Sequence, residues 1–268
     1  MGGLFMPDNY VSVAPEPLEM NIASLVWGVS IGSSMFTLAK AARQTNGVWR
    51  RKGTLNAYII MVWIELFVCF MISILCWLYL WGIIPPSFAF FFCVLCFWVF
   101  QTQCIIQIII NRIALLVRDK TRIRRLQWLA IGIIGAVNIS VFCIWIPAQL
   151  QVSATYAHVN FIWDRVGKVI FALVDVALNV YFIHLVRSKL IANGLTKYNG
   201  LFHFNIAMIC VSLSLDVILI ATMSIGSGFI YTMFHPLVYG LKLHIELNLA
   251  DLIAKTVRGD AGSDPGVY

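Results

Sequence analysis

Long apolar runs alternate along this chain with short polar clusters, and the pattern repeats seven times. A membrane-crossing helix needs about 20 apolar residues at about 1.5 Å of rise each. Seven segments reach that length: 20–41, 55–82, 87–112, 126–148, 161–186, 201–224 and 229–254. Breakers fall between them. Pro85-Pro86 separates the second from the third, Pro147 closes the fourth, and Gly226 and Gly228 mark the turn before the seventh. The apolar runs are continuous rather than alternating in ten-residue segments, which predicts helices and not a β-barrel. The expected fold is therefore all-α, a polytopic membrane protein with a seven-transmembrane-helix bundle over 20–254. A lumenal tail over 1–19 precedes it, and a cytoplasmic tail over 255–268 follows, which reads as disordered. No soluble domain and no internal repeat of the transporter kind is expected.

Composition agrees with this pattern. The 268 residues are 60% hydrophobic and 12% charged, with a mean hydropathy of +0.86. A soluble domain is nearer half apolar and about a quarter charged. The net charge of +7 comes from 19 Lys and Arg set mostly in the short polar clusters. There they orient helices, since cytoplasmic loops of membrane proteins are enriched in these residues. Lys40, Arg43, Arg50, Arg51 and Lys52 follow the first run. Arg112, Arg118, Lys120, Arg122, Arg124 and Arg125 follow the third, and Arg187, Lys189 and Lys197 the fifth. Lys255 and Arg258 lie in the tail. The alternate loops have almost none, with only Arg165 and Lys168 near one of them. This asymmetry places the N-terminus outside or in a lumen and the C-terminus in the cytoplasm, and it argues against a nucleic-acid partner.

The seven cysteines all lie inside apolar runs, so no disulfide framework is implied. Cys93 and Cys96 form a CxxC without partner His or Cys, which reads as packing, and no metal or cofactor is expected. The first 19 residues carry no Lys or Arg, so a cleavable signal peptide is not expected. "MGGLFM" lacks the Ser or Thr of a myristoylation signal.

The candidate chemistry lies in the polar groups inside the runs, because an ionisable residue at membrane depth is a functional candidate. Glu65 sits in "VWIELFVCF", too deep to reach water and with no cation on its own span. Cys69 and Ser73 follow at i+4 and i+8 and share its face. It is either hydrogen-bonded to another helix or held as a neutral acid. Asp216, in "SLSLDVILI", is the same kind of residue, with Ser212 one turn before it. Asp175 lies on a stripe with Asp164, Lys168, Phe171, Asn179 and Phe182, where Asp164 and Lys168 are spaced as an i,i+4 pair and Lys168, two turns away, is also a candidate partner for Asp175. Span 7 has a second stripe, His235, Tyr239, Lys242 and Glu246, in which Lys242 and Glu246 are spaced to neutralise each other. Gln107 and Asn138 are explained by hydrogen bonds between helices. Nine Trp, nine Tyr and eighteen Phe supply interfacial belts, such as Trp77, Tyr79 and Trp81, and deeper rings such as Trp27, Trp63 and Trp98.

Two functional readings fit. In the first, a neutral acid in an apolar site protonates an olefin or epoxide dissolved in the bilayer. Aromatic faces then stabilise the carbocation and a second acid takes the final proton. Glu65 and Asp216 are the pair for these roles, with Asp175 in reserve. Trp63, Trp98, His235 and Tyr239 are the candidate substrate-binding residues. The length, the seven spans, the outside N-terminus and Trp63-Ile64-Glu65 on span 2 resemble the small transmembrane terpene cyclases of fungal meroterpenoid pathways. The resemblance implies a metal-independent cyclase of secondary metabolism. It would act on a farnesylated or epoxidised prenyl compound in the endoplasmic reticulum membrane, beside a prenyltransferase and an epoxidase. In the better-known branch the second acid lies on the last span; here Asp216 is on span 6 and Asp251 is at the membrane edge. "LKLHIELNLADLI" also resembles uncharacterised fungal seven-span proteins.

In the second reading the chain is a seven-helix receptor-like or opsin-like protein. Asn111-Arg112 ends span 3 where receptors carry Asp-Arg-Tyr, and His235-Pro236-Leu237-Val238-Tyr239 imitates Asn-Pro-x-x-Tyr. The proline motif lies at the opposite end of span 7 from its receptor counterpart. The second outer loop has no Cys for the receptor disulfide. Lys242 is the candidate for an opsin-type Schiff base.

Overall fold

A computed structural model describes residues 15–117, 119–188, 199–223 and 228–261. They form seven α-helices, and no strand occurs among them: α1 Pro17–Lys52, α2 Ala57–Leu80, α3 Phe88–Ala114, α4 Lys120–Gln149, α5 Ala154–Val186, α6 Asn199–Thr222 and α7 Gly228–Ala261. The expected N-terminal tail as far as residue 14, Gly226 and the tail beyond 261 lie outside the described residues.

Local chemistry sets the helix ends. Pro17 opens α1, and the Glu19 carboxylate accepts the Glu16 N–H at 3.0 Å. Gly53 stops α1 in the left-handed conformation, φ 65°, which a residue without Cβ adopts freely. Ser87, Asp119 and Ser153 cap α3, α4 and α5 by accepting N–H groups of the first turn. Pro147 does not close the fourth helix as expected. It sits in the last turn of α4, which runs on to Gln149.

Six helices, α1 to α6, are long and apolar enough to cross a membrane, as in a multi-pass integral membrane protein. The seventh expected span, α7, falls short of that standard because His235, Lys242, His244 and Glu246 interrupt its apolar residues. Packing gives the reason. Each helix contacts its neighbours in chain order and α7 closes on α1, while α7 also contacts α2 and α3 across the ring. Met233, Val238, Leu243, Leu247 and Leu249 of α7 are almost completely buried. By contrast, Leu25, Phe36, Phe67, Trp128 and Val217 on four other helices turn outward. A helix surrounded by protein does not need to be apolar all round, whereas one facing lipid does.

Side-chain contacts fix the directions. Trp77 reaches Ser24 and Trp63 reaches Thr45, so α1 and α2 run antiparallel. Thr37 meets His244 and Lys40 meets Asn248, so α1 and α7 run parallel. Trp98 meets His235 and Arg112 meets Glu246, so α3 also runs parallel to α7.

Candidate functional site

The α7 stripe of His235, Tyr239, Lys242 and Glu246 faces the bundle interior, and all four residues are buried. Each meets a different neighbour. The His235 Nε2 accepts the Trp98 indole N–H at 2.9 Å, and the Lys168 Nζ lies 3.4 Å from the same nitrogen. Tyr239 stacks on the His235 ring with centroids 4.5 Å apart. Lys242 Nζ donates to Asp175 Oδ2 at 2.5 Å and to Asp216 Oδ2 at 2.6 Å. Glu246 accepts from Arg112 Nη1 at 3.1 Å.

These contacts join into one network. Arg112 Nη2 donates to Asn179 Oδ1 at 2.6 Å, and Asn179 Nδ2 donates to Asp175 Oδ1 at 2.6 Å. The Arg112 guanidinium also lies over the Phe182 ring, 4.3 Å from its centroid. The chain Asp216–Lys242–Asp175–Asn179–Arg112–Glu246 thus links α3, α5, α6 and α7 through direct hydrogen bonds. Taking charges out of water is costly, and they persist where geometry and hydrogen bonding compensate. Such a network ties four helices in one register, and moving any of them breaks charge-assisted bonds.

Several expected pairings change. Asp216 is not an unpaired acid but a partner of Lys242. Asp175 pairs with Lys242 and not with Lys168. Lys242 and Glu246 do not neutralise each other; each takes a partner from another helix. Arg112 is no loop charge, because its side chain is fully buried. One physical reason covers all four: a buried ion chooses the nearest complementary group in space. A signal for Arg112 was present, since apolar Ile113 to Val117 continue beyond it. Asn179 carried no signal beyond its place on the α5 stripe.

A cavity of about 360 Å³ opens above the network, between the C-terminal halves of α2 and α4, Met223 just past the end of α6, and the N-terminal halves of α3, α5 and α7. Its walls include Leu95, Val141, Trp145 and Phe161. Its polar lining includes Asp164, Arg165, Lys168, Tyr231 and His235. Trp98 and His235 form its inner wall, with Tyr239 stacked behind His235, so the cavity and the ion network share α7. The cavity lies at the low end of the size range of small-molecule sites, about 300–1,000 Å³.

The sequence-predicted residues divide between these places. Trp98 and His235 line the cavity, and Tyr239 backs it. Asp175 and Asp216 belong to the network and do not line the cavity. Glu65 is fully buried beside Cys69, whose thiol donates to Oε1 at 3.7 Å. Gln101 Nε2 donates to Cys69 Sγ at 3.0 Å, and Glu65 Oε2 has no partner among the described residues. Glu65 does not line the cavity either, although Ile72 and Cys76 further along α2 do. Trp63 lies apart from all of these, on the outer surface, donating to Thr45 of α1 at 3.0 Å. Among the described residues no group of three His, Cys, Asp or Glu side chains is placed to hold a metal ion.

No family model matches the chain, and no match was found among curated proteins or solved structures.

Proposed function

We propose that this chain is a receptor-type seven-helix membrane protein that binds a small lipophilic molecule in the cavity beside His235. All seven helices cross the bilayer in this reading, with the N-terminus outside or lumenal and the C-terminus cytoplasmic. The positions of the basic residues support that orientation. The single observation that carries the function is the sharing of α7. One turn of that helix presents His235 to the cavity and the following turns present Lys242 and Glu246 to the ion network. A molecule that moves His235 therefore acts on a helix held by three interior ion pairs, two of them fully buried, an element with discrete arrangements. The test is a thermal-shift screen of lipophilic small molecules on the protein in nanodiscs. Stabilising molecules should lose their effect when Leu95→Trp fills the cavity. If their effect survives that substitution, the cavity is not the site.

A second reading, the membrane terpene cyclase, is favoured by Glu65, an interior acid with one oxygen unpartnered among the described residues. Glu65 would donate the initiating proton to a prenylated substrate in the endoplasmic reticulum membrane, and Asp216, with Asp175 in reserve, would take the proton lost from the final carbocation. This reading stands second here. Lys168 lies 4.6 Å from the centre of the Trp98 ring and 5.6 Å from that of Tyr231, so an ammonium group occupies faces a carbocation needs. Microsomes incubated with farnesylated phenols and their terminal epoxides decide between the two. Cyclised product that Glu65→Gln abolishes supports the enzyme. Coupling to a G protein without prenyl turnover supports the receptor.

A further inference from the structure

We propose that the cavity takes an amphiphile with a single anionic head, that Lys168 is the anchor for that head, and that the apolar body lies against Leu95, Val141 and Trp145. This deepens the ligand-binding reading above and rests on it.

The protein contains its own comparison. Lys168 and Lys242 are both buried, with side-chain exposures of 4% and 7%. Lys242 has two carboxylate oxygens, at 2.5 and 2.6 Å. Lys168 has one, Asp164 Oδ1, at 4.0 Å, beyond hydrogen-bonding distance. Its nearest polar neighbour, His235 Nε2 at 3.4 Å, already accepts the Trp98 N–H. An ammonium group has three donors, so Lys168 keeps donor capacity while bordering open space. A buried charge is costly unless it is paired and hydrogen-bonded. An anion entering the cavity completes this one.

The other cation at the cavity is already engaged. Arg165 donates to the Phe161 carbonyl at 2.9 Å and the Met223 carbonyl at 3.1 Å, and lies 3.5 Å over the Phe161 ring. Among the described residues that leaves one anchoring cation and predicts a monoanion. A carboxylate or a sulfate monoester head, each a monoanion at neutral pH, provides the shared chemistry, and an apolar tail matches the remaining walls. The volume of about 360 Å³ suits a single-chain or compact molecule.

The experiment measures binding of decanoate, decyl sulfate, decanol and decylamine to the intact protein in nanodiscs, with protein-free nanodiscs as the partition control. A charge-assisted hydrogen bond is worth enough to set the anion about 10- to 100-fold above the neutral analogue. Decanoate or decyl sulfate should therefore exceed decanol by that factor, and whichever binds tighter identifies the head group. Lys168→Met should erase the preference while decanol binding persists, and Lys168→Arg should retain most of it. Because Lys168 lacks a close counter-ion, Lys168→Met should melt at or above the wild-type temperature. Equal binding of decanoate and decanol to wild type overturns the anchor and leaves the cavity reading standing. Absence of saturable binding by all four probes overturns both. Tightest binding of decylamine overturns the anchor and points to Asp164 instead.

Discussion

Replacing Lys242 by Met removes the cation that touches both Asp175 and Asp216. The two carboxylates would then face each other inside the bundle. At an effective dielectric of about 20, each contact near 2.5 Å carries about 6 to 7 kcal/mol of Coulomb attraction. Desolvation of the three groups offsets most of it. What the substitution exposes is the cost of leaving buried anions without a partner, about 3 to 5 kcal/mol. For a domain of this size each kcal/mol moves the melting temperature by about 2 to 4 °C, so the expected fall is about 6 to 20 °C. Thermal unfolding of the purified protein in detergent, followed by tryptophan fluorescence, measures it. A triple variant, Lys242→Met with Asp175→Asn and Asp216→Asn, should recover much of the loss, because no charge then remains stranded at that point. A single variant within 2 °C of wild type, or a triple variant as unstable as the single one, would refute the argument that these three groups form one compensated unit.

Further expectations come from the same geometry. Arg112→Lys keeps the charge but lacks the planar fork that reaches Glu246 and Asn179 together, so it should lower stability by about 1 to 3 kcal/mol in chemical unfolding. Glu246→Gln leaves Arg112 without a counter-ion and should cost about 3 to 5 kcal/mol, whereas Glu65→Gln disturbs no cation and should stay within about 1 kcal/mol. The reverse order would contradict the assignment of partners. Ser153→Ala removes the side-chain acceptor that starts α5 and should cost about 1 kcal/mol. An Asn-x-Thr acceptor on an extension inserted at 151–153 should be glycosylated in microsomes, and the same insertion at 53–56 should not; the opposite result inverts the proposed topology.

The sequence by itself determined the all-helical architecture and, to within a few residues at most ends, the core of each helix. Continuous apolar runs leave the backbone no way to satisfy its hydrogen bonds in lipid except within a helix. Pro, Gly, Ser and Asp at the run ends then decide where each helix starts and stops. These are local properties, read along one dimension. It also marked α7 as chemically distinct, since His235, Tyr239, Lys242 and Glu246 fall at the spacing of one helical face.

Only the tertiary structure decided what those residues meet. Lys242 has Glu246 one turn away in sequence, yet it bonds to Asp175 and Asp216 on two other helices. Glu246 takes Arg112. Asp164 and Lys168 do form the ion pair their spacing predicts, but only at 4.0 Å, and the space left beside Lys168 is the cavity. The physical reason is that burial makes each ion select the partner with the best three-dimensional geometry, and a helix-surface spacing rule carries no information about the helix opposite. The same reason separates Glu65 from Asp216. Alike in sequence context, one is buried beside a thiol and an amide, and the other is held by a lysine.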